Sequence, residues 1–162
     1  HGLLYKSFRL DASRTRVGMP DYLMIFRKPV EGATSKTPDP VLHDPSRYPV
    51  ERWQELASPV WMTINQTNVL NVKVAREDKD ERHLCPLQLD VIERCVELYT
   101  NPGDTVYSPF MGIGSEGWQS LKMGRRFIGT ELKPAYFRQA VLNLKQAETD
   151  GGVGDLFAAQ VA

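Results

Sequence analysis

The chain has 162 residues, the length of one ordinary domain, of which 41% are apolar and 25% charged. Its 20 basic and 20 acidic side chains cancel, so no global field advertises a nucleic-acid or membrane partner, and any DNA contact would rest on local basic patches. Cys85 and Cys95 make neither a disulfide framework nor a metal site and suit a reducing cytoplasm, no signal peptide is expected, and no apolar run approaches the roughly 18 residues of a membrane span. The first residue is His1 rather than Met, which reads as a processed product, a trimmed chain or a piece of something longer.

Residues 1–30 alternate extended and turn signals. "HGLLYKSFRL" and "DYLMIFRK" read as two strands separated by the turn residues of "VGMPD". Pro29, Pro38, Pro40, Pro45 and Pro49 then forbid regular helix or central strand over 29–50, leaving a long loop or small insertion. "VERWQELA" reads as a short helix, "VWMTINQTNVLNVKV" as a strand with an Asn-rich exit, and "REDKDER" as a solvated charge run.

From residue 86 the pattern sharpens. "PLQLDVIERCVELY" sets Leu87, Val91, Cys95 and Leu98 at helical spacing, with Pro86 at a first helical position, and "NPGD" ends that helix. "TVYS" is a strand. "SEGWQSLKMG" is a helix with Trp118 and Leu121 inward and Gly124 at its end. "RRFIGTEL" is a second strand, and "PAYFRQAVLNLKQAE" a second amphipathic helix with Phe137, Ala140, Val141 and Leu144 on one stripe. "TDGGVGD" ends it before a frayed tail. Residues 86–147 therefore read helix–strand–helix–strand–helix, an α/β arrangement with a parallel sheet and right-handed crossovers.

The loop "FMGIGSEG" joins the first strand to its helix. Gly112 and Gly114 let backbone approach a ligand closely and adopt positive φ without strain. The loop opens a helix, whose unpaired N–H groups favour an electron-rich partner. Glu131 follows Gly112 by 19 residues, at the end of the next strand, where an acid accepts hydrogen bonds from ribose hydroxyls. Taken alone, the glycine pair is a tight turn and Glu131 a surface carboxylate. Together they point to a nucleoside-containing ligand at the carboxyl ends of the strands. Gly117 completes the G-x-G-x-x-G spacing of a nicotinamide site, so spacing by itself leaves a dehydrogenase open.

The stretch from Arg82 to Leu144 resembles the S-adenosylmethionine half of DNA amino-methyltransferases, which modify N6 of adenine or N4 of cytosine. It is most similar to phage and prophage members of the subclass whose catalytic motif precedes the cofactor motif. The resemblance rests on His83, Pro86 and Gln88, then Pro102-Gly103-Asp104, then Ser108-Pro109-Phe110-Met111-Gly112-Ile113-Gly114, and on "GRRFIGTELKPAYF" through Glu131 and Tyr136. "PDYLMIFRKP" is similar to the last strands of the family's catalytic half. The implied fold is a partial Rossmann-like methyltransferase fold lacking upstream strands. The implied organisation is strands of the catalytic half over 1–30, a short Pro-rich target-recognition region over 31–80, the cofactor-binding unit over 81–148 and a flexible tail over 149–162.

The resemblance also implies roles. The cofactor is S-adenosylmethionine. The loop of Ser108, Pro109, Phe110, Gly112, Gly114 and Ser115 would cradle its methionine and ribose, Glu131 would hold the ribose hydroxyls, and Leu132 would pack near the adenine. His83, Pro86 and Gln88 would lie against the methionine end. Ser108 stands where the family usually has Asp, Leu84-Cys85 where it has Pro-Thr, and Leu87 near its usual Lys. The family's catalytic stretch, Asp/Asn/Ser-Pro-Pro-aromatic, is absent from "DPVL", "DPSRY" and "SPVW", and in this subclass it lies upstream. The expectation is a fragment of a bacterial or phage-encoded cytoplasmic enzyme, inactive alone, with an open sheet edge that invites self-association or a complementing chain. The alternative is a non-catalytic nucleotide- or DNA-binding module that needs another chain. DNA is the expected partner, with Arg9, Arg14, Arg16, Arg27 and Lys28 on phosphate.

Overall fold

The structure is a computed structural model, and it describes residues 21–28, 31–32, 41–44, 46, 48–70 and 86–150. The chain divides into two compact units, His1–Pro38 and Asp39–Ala162. In the first unit, residues 21–28 form neither helix nor ladder among the described residues, and all of them are exposed. The alternation of "DYLMIFRK" is strand-like, yet a strand exists only through a partner. The other expected strand, over 1–10, and the charge run "REDKDER" lie outside the described residues.

The second unit runs α1 (Val50–Ala57), α2 (Leu89–Tyr99), β1 (Thr105–Ser108), α3 (Ser115–Lys122), β2 (Arg126–Gly129) and α4 (Pro134–Asp150). The strand–helix–strand–helix order expected from 105 onward is present. β1 and β2 pair in parallel, with Thr105 opposite Arg126 and Ser108 opposite Gly129. The ladder continues at both ends. Arg126 N–H donates to Asp104 O at 2.8 Å, and Thr130 N–H donates to Ser108 O at 3.0 Å. Helix α3 lies against both strands, α2 and α4. One sheet face, with Tyr107 and Ile128, is exposed, while Ser108 and Gly129 turn inward.

The buried stripes differ from the expected ones. In α3 the buried residues are Ser115, Gly117 and Ser120, while Trp118 and Leu121 are half-buried flanks. Small side chains at the contact let α3 approach the sheet and α4 closely. In α4 the buried residues are Ala135, Tyr136, Ala140 and Ala147, and Phe137 is exposed. Volume, which a hydrophobic pattern ignores, decides both cases.

Helix α2 starts at Leu89, three residues after Pro86, with Gln88 extended at φ −63°, ψ 133° as its N-cap. Its partners set the start. Leu89 N–H donates to Asn68 O at 2.9 Å. The Asp90 carboxylate accepts from Asn65 N–H at 2.7 Å and Asn68 Nδ2 at 2.5 Å. The same contacts rotate the buried stripe to Ile92 and Val96, leaving Val91, Cys95 and Leu98 half-buried and Leu87 exposed. Burial raises the Cys95 thiol pKa, which suits the inert apolar role expected of it.

Asn65 also explains why the strand expected from Val60 onward is missing between residues 60 and 70. Its Oδ1 accepts from Thr67 N–H at 3.0 Å and Thr67 Oγ1 at 2.9 Å. Such an Asx turn competes with a sheet ladder for the backbone.

The expected short helix is α1. Its Leu56 is 1% exposed, and two of its charges, Arg52 and Glu55, pair with side chains of α2. The Arg94 guanidinium, largely buried on α2, donates to Glu55 Oε1 at 2.7 Å and Thr63 Oγ1 at 2.6 Å. It also lies 5.3 Å from the Trp61 ring centroid. Arg52 pairs with Glu55, Glu93 and Glu97. The hydrogen bond from Thr63, then that from Arg52, hold the Glu55 carboxyl below its ordinary pKa. No helix among the described residues is long and apolar enough to cross a membrane.

Candidate functional site

The loop from Pro109 to Gly114 leaves the carboxyl end of β1 and enters α3. It alternates buried and open positions. Met111 and Ile113 are 4% and 5% exposed, whereas Phe110 is 86% exposed at its tip. Met111 and Ile113 anchor the loop in the core, Ile113 beside Ala135, Tyr136 and Leu70. Met111 N–H donates to Thr130 O at 3.0 Å, and Thr130 Oγ1 donates to Pro109 O at 2.7 Å. Asn143 Nδ2 on α4 donates to Ile113 O at 2.8 Å. The loop is thus tied to the segment after β2 and to α4.

Two glycines make the turn. Gly112 has φ +53° and Gly114 has φ +86°, both in the left-handed region. They differ in surroundings. A Cβ at Gly114 would lie 3.2 Å from Ala140 Cβ, while a Cβ at Gly112 would meet nothing within 4 Å. Gly114 is therefore a packing contact with α4, and Gly112 borders open space.

Glu131 closes the site. Its Oε2 accepts from Gly112 N–H at 3.0 Å and its Oε1 from Lys133 N–H at 2.8 Å. The acid singled out by spacing is therefore bonded to the very glycine from which the spacing was counted. A carboxylate offers about four lone-pair sites, which leaves capacity for a ligand. Leu132, next in sequence, is 100% exposed.

Of the residues singled out in the sequence, the hydrogen bonds bring together Ser108, Pro109, Gly112, Gly114 and Glu131. Ser108 is buried at the end of β1, and Ser115 is buried in the first turn of α3. Phe110 and Leu132 are exposed neighbours of that knot. Pro86 and Gln88 are half-buried before α2. They are not hydrogen-bonded to the loop among the described residues, although Leu89 reaches Asn68, two residues from the Leu70 that packs on Ile113. His83, Arg9, Arg14 and Arg16 lie outside the described residues, and Arg27 and Lys28 are exposed in the first unit. The sequence reading passed over Asn143, although its spacing with Tyr136, Ala140 and Ala147 along one helix face carried a signal.

Residues 12–142 match the family described as DNA methylase, N6_N4_Mtase. The chain belongs to this DNA methylase family. It is 34% identical over 93 residues to the type II methyltransferase M1.MboII of Moraxella bovis, covering 57% of this chain and 35% of that protein. It is 32% identical over 95 residues to the type II methyltransferase M.BglI of Bacillus subtilis, covering 59% of this chain and 26% of that protein. Among solved structures it is similar to a DNA modification methylase of Thermus thermophilus complexed with S-adenosyl-L-methionine, at a TM-score of 0.47 and 25% identity over 76% of this chain and 40% of that one. This DNA methylase chain spans about a third of M1.MboII and a quarter of M.BglI.

Proposed function

We propose that these residues form the S-adenosylmethionine-binding part of a DNA methyltransferase that acts on adenine N6 or cytosine N4. The carrying observation is the hydrogen bond from Gly112 N–H to Glu131, which joins a glycine turn and an acid at the carboxyl ends of two parallel strands. The residues fit the cofactor. Gly112 borders open space that a Cβ would enter. Glu131 retains acceptor capacity for two ribose hydroxyls. The first turn of α3 offers N–H groups with no carbonyl a turn behind them.

In this reading the bound cofactor supplies the methyl group. The chain's own residues bind and orient. Ser108, Pro109, Phe110, Gly112, Gly114 and Ser115 line the cradle, Glu131 fixes the ribose, and Leu132 gives the adenine an apolar neighbour. Pro86 and Gln88, with His83, border the methionine end. Arg9, Arg14, Arg16, Arg27 and Lys28 contact DNA phosphate. Residues 1–30 belong with the catalytic half, 31–80 with target recognition and 81–148 with the cofactor. The setting is the cytoplasm.

A flipped base needs its own pocket. Residues 1–162 contain no Asp/Asn/Ser-Pro-Pro-aromatic stretch, so we assign them to cofactor binding and not to the transfer step. Calorimetric titration with S-adenosylhomocysteine tests the reading. Glu131→Ala is expected to weaken binding by on the order of a hundredfold, because it removes charged hydrogen bonds to ligand and loop. Equal affinity in wild type and variant, or methylation of DNA by this chain alone, would overturn the corresponding part.

A second chain is the natural companion of the parallel pair. Among the described residues β1 and β2 pair only with each other, and Tyr107 and Ile128 are exposed on one face of the pair. Open edges template pairing. Light scattering is expected to give a mass above that of the monomer, through self-association, unless a complementing chain is present. A monodisperse monomer would sink this point.

A further inference from the structure

Leu70 packs against the cluster of Ile113, Ala135 and Tyr136. Ile113 stands between the two glycines of the turn, so the seat of Leu70 bears on the shape of the turn. No sheet holds Leu70 there, because residues 60–70 join no ladder. Local bonds curl the segment on itself, from Asn68 N–H to Asn65 O at 3.1 Å and from Val69 N–H to Thr67 O at 3.0 Å. Among the described residues, the hydrogen bonds that tie residues 65–70 to another element all run to the start of α2. Leu89 N–H donates to Asn68 O. Asn65 N–H donates to Asp90 Oδ2, and Asn68 Nδ2 donates to Asp90 Oδ1.

Asp90 is the second residue of α2, where an acid is favoured by the helix dipole. Each of its two oxygens takes one donor, and bonds to an ionised acceptor are the strong ones. One side chain therefore fixes two points of the segment, three residues apart. The second point is two residues before Leu70, which leaves Leu70 little freedom to leave its seat. The glycine turn is then held from two sources: Glu131 at Gly112, and Asp90 by way of Leu70 at Ile113.

We propose that Asp90 is a positioning residue of the cofactor site. By fastening Asn65 and Asn68 it seats Leu70 on Ile113 and braces the glycine turn. The proposal rests on the cofactor reading and deepens it, because it couples a segment assigned to target recognition to the turn that holds the cofactor. Asp90 acts through Leu70 and makes no contact with the ligand.

The test is calorimetric titration of the full 162-residue chain with S-adenosylhomocysteine. Asp90→Ala removes both acceptors from a position where Ala suits a helix. It is expected to weaken binding by on the order of fivefold, as loss of a hydrogen-bonded tie does. Asp90→Asn should restore affinity to within about twofold. Its Oδ1 can accept from Asn65 N–H, and its Nδ2 can donate to Asn68 once that amide turns over. Arg52→Gln breaks the ion pairs to Glu93 and Glu97 farther along α2. It should lower the urea midpoint and leave affinity unchanged.

Wild-type affinity in Asp90→Ala would overturn the assignment. So would an Asp90→Asn as weak as Asp90→Ala, since charge at the helix end and not the tie would then matter. Equal weakening in Arg52→Gln would overturn it too, by reducing the effect to general stability. Should Asp90→Ala not fold, Asn68→Ala, which cuts one tie of the pair, takes its place, and wild-type affinity there overturns the assignment equally. In each case a loss of binding in Glu131→Ala would still uphold the cofactor site. Failure of the wild type to bind would overturn the site and the assignment together.

Discussion

Gly117→Ala is expected to lower the unfolding free energy by about 2 kcal/mol. Overpacking a core costs up to about 3 kcal/mol, and the better helix propensity of Ala returns roughly 1 kcal/mol. The added Cβ would sit 2.5 Å from Leu144 Cδ2 and 2.5 Å from Phe127 Cδ1. Leu144 can swing away; the Phe127 ring cannot. Its Cε1 lies 2.6 Å from a Cβ built on Gly117 and 2.7 Å from one built on Gly129. The ring fills a slot lined by two glycines, one on α3 and one on β2. Urea unfolding is the measurement, read as a lower midpoint at unchanged slope. Gly117→Val, branched at Cβ, should fall further. Phe127→Leu should relieve part of the Gly117→Ala cost, so the two changes together should destabilise less than their sum. Additive effects would mean the ring is free to move and the slot is not the constraint.

The second expected result separates packing from binding at the paired glycines. Gly114→Ala meets both strain at φ +86° and Ala140 Cβ at 3.2 Å. It should cost about 2 kcal/mol, at the upper end of the left-handed penalty. Gly112→Ala, at φ +53° with open space beyond, should cost about 1 kcal/mol of stability. Ligand affinity should show the larger loss at Gly112, on the order of tenfold or more for S-adenosylhomocysteine, because its Cβ would project into the space left for the ligand. A Gly112→Ala variant that binds as wild type would place the ligand away from this turn.

Much of the site was legible because it is local. The order of β1, α3, β2 and α4 follows from short apolar runs and turn residues close in sequence. The link between Gly112 and Glu131 was readable because a parallel pair with one crossover fixes where both fall. Gly117 was legible only as spacing. Its physical role, admitting Phe127, is the contact of helix on strand that a dinucleotide fingerprint also requires there. The illegible parts depend on partners distant in sequence. The start of α2 follows from Asn65 and Asn68 bonding Asp90. The short helix α1 was legible, but not its charge partner: Glu55 meets Arg94, 39 residues on. Tyr136 and Ala140 outrank Phe137 and Val141 on α4 because closeness of packing selects shape over hydropathy. The Asn-rich stretch was ambiguous by nature, since amides serve turns and ladders alike, and the turn at Asn65 prevailed.

The bond between Gly112 and Glu131 bears on the timing of binding. A glycine turn with no such tether would have to find its shape after the ligand arrives, and encounter would be slowed by the search. Here the turn is pinned by the chain's own groups, at Gly112, at Met111 through Thr130 and at Ile113 through Asn143. Arrival then requires no folding of the loop. Differences in affinity among variants of the exposed rim should accordingly reside in how long the complex lasts, with the rate of capture nearly constant.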